Sequence, residues 1–208
     1  MNGRRNPFVA REGIPFLLVT AFATVAVWHY VGLLYSLVPA FVAAYLYLVF
    51  RDPAREIPAV PLGVLSPVDG VVVDVGLTDH SVFDGEAHVI IIRVNHLGTY
   101  TARCPVEGKI MDFRTEPGLN AVSRDMGGLW VRTDEDLDVV LQFTGHRFGL
   151  APRAFLRFGE RVGQGQRCAY LRLTRVAEVQ LPINAHVNVA VGQSVTAGTD
   201  VLAKLPHV

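Results

Sequence analysis

No acidic or basic side chain interrupts the chain from Ile14 to Phe50, whereas from Arg51 onward apolar residues come in short β-branched runs between glycines and prolines. A single helix over those 37 residues would be about 55 Å long. The hydrocarbon core of a bilayer is only about 30 Å thick. The run therefore predicts two helices, about 14–28 and 32–50, with His29, Tyr30 and Gly32 near the turn and Pro39 in the second helix. A cleaved signal peptide is disfavoured by the length of the run and the absence of a small-residue cleavage site at its end. A hairpin buried in a soluble core is disfavoured, because a domain of this size rarely hides so many uncharged residues. Arg4, Arg5 and Arg11 precede the run, and Arg51 and Arg55 follow it. By the positive-inside rule both ends face the cytoplasm, which either two crossings or a re-entrant hairpin satisfies. The expected location is a cell inner membrane, with the rest of the chain on its cytoplasmic side.

Asp52-Pro53 and the prolines at 58, 61 and 67 mark an extended linker. Strand-length runs then appear at 71–75, 89–94, 129–132, 139–143, 168–173, 176–181, 187–191 and 201–205. An acidic turn at 133–138 separates two of them. Helix signals are weak here, so the expected fold is mainly β, an antiparallel β-sandwich behind an N-terminal transmembrane helical hairpin. The domains are 1–50, the anchor, and 51–208, the β domain.

Two internal echoes support that reading. Pro67-Val68-Asp69-Gly70 resembles Pro105-Val106-Glu107-Gly108, each pair of Pro and Gly framing a tight turn that launches a strand. Gly159, Val162 and Gly165 recur 33 residues later as Gly192, Val195 and Gly198. That second pattern is similar to the barrel-sandwich turns of biotinyl and lipoyl carrier domains. Neither Lys109 nor Lys204 has the hairpin-tip context that a carrier lysine needs.

Charge narrows the function. Nineteen basic and nineteen acidic residues cancel, which argues against nucleic-acid binding. Cys104 and Cys168 lack metal or redox spacing and suit two small buried residues, with a disulfide left open. His80, His88 and His96, spaced by eight, do not share a helix face, and no metal site is expected. His146, Arg147, Arg153 and Arg157 form a local basic cluster. It is either solvated surface or, through Arg147 and Arg153, a contact for lipid phosphates.

Five landmarks together resemble the phosphatidylserine decarboxylase family in its short membrane-anchored form. They are Phe50-Arg51-Asp52-Pro53-Ala54-Arg55, Ser66-Pro67-Val68-Asp69-Gly70, Arg103-Cys104-Pro105-Val106-Glu107-Gly108-Lys109-Ile110, Pro117-Gly118-Leu119-Asn120-Ala121, and Val179-Gln180-Leu181-Pro182 followed by Val191-Gly192 and the Val195 and Gly198 pair. The resemblance implies an enzyme that cuts itself at a Gly-Ser bond, turns the serine into a pyruvoyl group and uses it to decarboxylate phosphatidylserine to phosphatidylethanolamine. It implies an Asp and a His that assist the cut. Asp69 matches the aspartate, although an Asp in that turn also serves as a simple cap. Tyr100 stands where the histidine belongs. Leu173-Thr174 or Thr174-Arg175 stands where the Gly-Ser belongs, and no Gly-Ser dipeptide occurs in the chain. Asp125-Met126-Gly127-Gly128-Leu129-Trp130 replaces the family's Asn-Glu-Arg stretch.

Tyrosine, with a pKa of about 10, is a poor base near neutrality. A Leu-Thr site also lacks the flexible glycine. Ordinary pyruvoyl formation is therefore expected to be disabled, and no cofactor is expected unless the chain is self-processed after all. The implied partner is membrane phospholipid, with a homo-oligomer admitted. Three readings stay open: a divergent active decarboxylase, a non-catalytic lipid-binding relative, and a membrane-tethered β scaffold.

Overall fold

The computed structural model describes residues 8–78, 86–112, 128–145, 152–154 and 156–206. The landmark at 117–121, the stretch 125–127, and His80, His146 and Arg147 lie outside the described residues.

Two helices open the chain, α1 (Ile14–Tyr30) and α2 (Leu33–Phe50), behind a short 3-10 turn (Arg11–Gly13). Both are long and apolar enough to cross a membrane, and only 6% of each apolar window is buried. A core helix of a soluble protein would bury one face. These helices expose apolar side chains such as Phe22, Leu34 and Phe41, which suits surrounding lipid. The hairpin closes on itself at its base: Ala10 N–H donates to Phe50 O and Asp52 N–H to Phe8 O, each at 2.8 Å.

The remainder is mainly β, and every strand pairing among the described residues is antiparallel. One sheet runs, from edge to edge, Ser194–Val195, Gly70–Thr78, Ala87–Val94, Val176–Pro182, Asp138–Thr144, Gly128–Arg132, Gly108–Asp112 and Arg161–Val162. Two three-stranded sheets complete the fold. In the first, Val201–Lys204 lies between Gly63–Leu65 and His186–Val187. In the second, Arg167–Tyr170 lies between Thr101–Arg103 and Arg153–Ala154. All three contribute to a single apolar core that includes Ile90, Leu141, Val179, Ala102, Ala169 and Leu202. Several strand neighbours of these residues, such as Val140, Gln180 and Ala203, are buried as well, so strands here are covered on both faces. The β-sandwich expected from the sequence is the fold observed.

The two sequence echoes are a single structural device. The strand after the Pro67 turn pairs with the second copy of the Gly-Val-Gly motif (Gly70 with Val195), and the strand after the Pro105 turn pairs with the first copy (Gly108 with Val162). Gly198 N–H donates to Ser66 O at 2.8 Å, and Gly165 N–H to Cys104 O at 2.9 Å. Leu65 N–H bonds Pro105 O at 2.8 Å while Arg103 N–H bonds Pro67 O at 2.9 Å. The two halves thus clasp each other about an approximate two-fold axis. Gly108 shows why the motif needs glycine. Its φ is +154°, and a Cβ there would sit 2.1 Å from Arg132 O.

Two expected strands end three residues or more before their predicted ends. That at 168–173 ends at Tyr170, because Thr174 N–H turns back to Leu171 O at 3.1 Å and Arg172 adopts φ +51°. That at 187–191 stops at Val187, because Gln193 N–H closes a turn on Ala190 O. β-Branched composition alone cannot mark where a strand meets a turn. Cys104 and Cys168 are both fully buried and free. A side-chain hydrogen bond from the Cys104 thiol to Cys168, together with burial, pushes that thiol well above its ordinary value.

Candidate functional site

The segment that follows the helical hairpin organises the site. Asp52 is buried, with Arg167 Nε at 2.7 Å and Arg103 Nη2 at 3.8 Å. The Thr101 hydroxyl donates to its Oδ2 at 2.7 Å and the Thr99 hydroxyl to its Oδ1 at 3.4 Å. Two arginines and two hydroxyls therefore satisfy one carboxylate, the condition for keeping a charge inside a protein. Arg103 also donates to Gly165 O and Pro53 O, at 3.1 and 3.2 Å. This knot fastens the base of the hairpin to the Thr101–Arg103 and Arg167–Tyr170 strands.

Three residues further on, Arg55 Nη2 lies 2.7 Å from Asp69 Oδ2. Asp69 Oδ1 accepts from Ala197 N–H at 2.7 Å. Both carboxylate oxygens are thus engaged. The loop from Asn95 presses close: a Cβ on Gly98 would fall 2.5 Å from that of Asp69. Asp69 lines a cavity of about 520 Å³ with Arg51, Arg55, Arg93, Asn95 and Thr196 among its walls.

Tyr100 lines a different cavity, of about 460 Å³, walled chiefly by Phe16, Val49, Phe50 and Leu173 at the base of the hairpin. Its ring packs between Phe50 and Tyr170, at centroid distances of 4.8 and 5.7 Å. Its hydroxyl donates to Glu12 Oε2 at 3.0 Å. Glu12 Oε1 also takes Arg172 Nη2 at 2.9 Å and Arg153 Nη1 at 3.4 Å. Burial, then the neighbouring Glu12 charge, pushes the Tyr100 phenol well above its ordinary value. It is held as a proton donor rather than a base.

Thr174 is fully buried, and its hydroxyl has no hydrogen-bond partner among the described residues. The preceding Leu173 is partly exposed in the apolar cavity. No hydrogen bond joins Asp69, Tyr100 and Thr174 to one another among the described residues. Asp69 and Tyr100 face different cavities, and Thr174 lines neither. Arg153 combines its Glu12 contact with a side chain two-thirds exposed. The sequence reading missed Glu12, Arg55, Arg93 and Arg172. Glu12 carried one signal, being the only acid ahead of Asp52, and Arg55 another, closing the Phe50–Arg55 landmark; nothing local pointed to Arg93 or Arg172.

A phosphatidylserine decarboxylase proenzyme from Nitrosomonas europaea is 33% identical to this chain over 210 residues, 96% of each. One from Burkholderia pseudomallei is 31% identical over 97% of each, and one from Cupriavidus pinatubonensis is 29% identical over 98% of each. The chain belongs to the phosphatidylserine decarboxylase family. Membership at this coverage runs through both the helical pair and the β domain, and it links the protein to phospholipid metabolism. No family model matches the chain. Among solved structures, a glucose permease IIA from Mycoplasma capricolum overlaps at TM-score 0.45 and 17% identity, covering 68% of this chain and 94% of that one. That overlap is too slight to bear on the fold.

Proposed function

We propose that this family member remains a single uncut chain and acts by holding phospholipid at the cytoplasmic face of the inner membrane, without a pyruvoyl group. The observation that carries the proposal is the setting of Tyr100. At the place the resemblance gives to a histidine base stands a buried phenol, donating its proton to Glu12 and held above its ordinary pKa. A base must be able to accept the hydroxyl proton of the attacking residue. The cut site does not suit the group either. The resemblance requires Gly-Ser, but Leu173-Thr174-Arg175 stands there, and the Thr174 side chain is sealed from solvent. Asp69 is engaged at both oxygens by Arg55 and Ala197, and among the described residues no histidine is hydrogen-bonded to it. The arginines on either side of the hairpin support the cytoplasmic orientation, and Arg153, with Arg147, would meet lipid phosphates at that face.

A second reading, a divergent active decarboxylase, has one observation in its favour. Thr174 keeps an unpartnered hydroxyl beside the place of the family cut, and an unsatisfied buried hydroxyl costs stability unless something uses it. Mass spectrometry of the purified full chain separates the two readings. The uncut protein gives one species of 22.8 kDa. Two fragments divided near 173–175, with decarboxylation that hydroxylamine abolishes, would establish the second reading instead.

A further inference from the structure

We propose that the cavity beside Asp69 is a phosphate site for an anionic phospholipid, with Arg51 and Arg93 as its cationic contacts, and that it selects a net negative headgroup rather than an amine. The inference rests on the reading that the protein holds phospholipid, and it names which phospholipid and where.

Charge in the cavity is unbalanced. Among the titratable side chains that line it, Arg55 and Asp69 neutralise each other at 2.7 Å. Arg51 and Arg93 are exposed, and neither makes a side-chain hydrogen bond or ion pair with any described residue. Two guanidinium groups are thus left over in one concave site of about 520 Å³. Guanidinium forks match phosphate oxygens in geometry as well as charge. Ser194, Thr196 and Asn95 add neutral polar groups to the walls.

Position points to a lipid source for the phosphate. Arg51 is the first residue after α2, so it stands where a spanning helix leaves the hydrocarbon and headgroups begin. The selectivity follows from Asp69. Its charge is already offset by Arg55, so among the described residues no carboxylate lining the cavity is left uncompensated to draw a serine or ethanolamine ammonium. A choline or ethanolamine headgroup would instead bring a cation towards two unpaired arginines.

Calorimetric titration of the full chain in detergent with short-chain lipids tests this. Dioctanoyl phosphatidylglycerol and dioctanoyl phosphatidylserine should bind within about threefold of each other, and both about tenfold tighter than dioctanoyl phosphatidylcholine. The double variant R51A/R93A should lose about tenfold or more in phosphatidylglycerol affinity, and R51K/R93K should recover part of it. Both side chains are exposed, so the fold should survive, and circular dichroism checks that it does. Competition by glycerol 3-phosphate at equal concentration would assign the same anion site to a soluble phosphate ester; failure to compete assigns it to lipid. Unchanged phosphatidylglycerol affinity in R51A/R93A, or phosphatidylcholine bound as tightly as phosphatidylglycerol, would overturn the proposal. The intact-mass measurement is independent. A cut chain whose lipid affinity still depends on Arg51 and Arg93 sinks the uncut reading and leaves this site standing.

Discussion

The turn at 67–70 and the turn at 105–108 share a backbone frame yet have parted in chemistry. The first places its acid, Asp69, against Arg55 and Ala197 with little exposure; the second leaves its acid, Glu107, exposed and without a side-chain hydrogen bond among the described residues. The strands leading into them differ the other way. Leu62 and Leu65 precede the first turn, and Tyr100 and Arg103 stand in the equivalent places before the second. The carbonyls of Leu62 and Tyr100 accept matching bonds, from Leu205 and Leu171. Each of these polar departures from the two-fold touches the end of the helical hairpin or the segment after it: Asp69 bonds Arg55, Arg103 reaches Asp52 and Pro53, and Tyr100 packs on Phe50. A symmetric apolar frame became asymmetric and polar where the anchor docks on it.

The strongest way to break that picture is at Asp52. Asp52→Ala leaves Arg103 and Arg167 buried without their carboxylate, and should destabilise the protein by about 3–5 kcal/mol in chemical denaturation of the full chain in detergent. A loss under about 1 kcal/mol would mean that the anchor knot is not an energetic unit.

A direct comparison of the turns comes next. Asp69→Ala should cost about 2 kcal/mol, since it strands Arg55 and the Ala197 N–H, whereas Glu107→Ala should stay within about 0.5 kcal/mol. Equal costs would show that the two acids have not diverged in role.

The smallest effect is a pH dependence at Tyr100. Folding holds its phenol above the unfolded value of about 10, so its contribution is complete below that pH and fades as pH rises past it. Tyr100→Phe should cost about 1 kcal/mol at neutrality, and the alkaline loss of thermal stability should be shallower than in the parent protein. Parallel melting curves from pH 7 to 11, with no difference in slope, would remove Tyr100 from the account.

Much of this was written locally in the chain. The uncharged run from Ile14 to Phe50 sets two helices, because hydrophobic length against bilayer thickness is a one-dimensional property. The β-branched runs and glycine turns set an antiparallel sandwich, because alternation and turn geometry are local too. The family landmarks carried Asp69, Tyr100 and Thr174 to notice. What the sequence left undetermined was company. Arg55 pairs with Asp69 across 14 residues, Tyr100 with Glu12 across 88, and Arg172 with Glu12 across 160. The closure of strands far apart in the chain makes such contacts, and no spacing rule encodes them. The sequence by itself determined the anchor, the sandwich and the residues standing at the family's positions. Only the tertiary structure decided that Tyr100 gives its proton to Glu12, that Asp69 is taken up by Arg55, and that Arg51 and Arg93 are left facing a cavity, because charge balance at a site depends on which distant side chains the fold brings within reach.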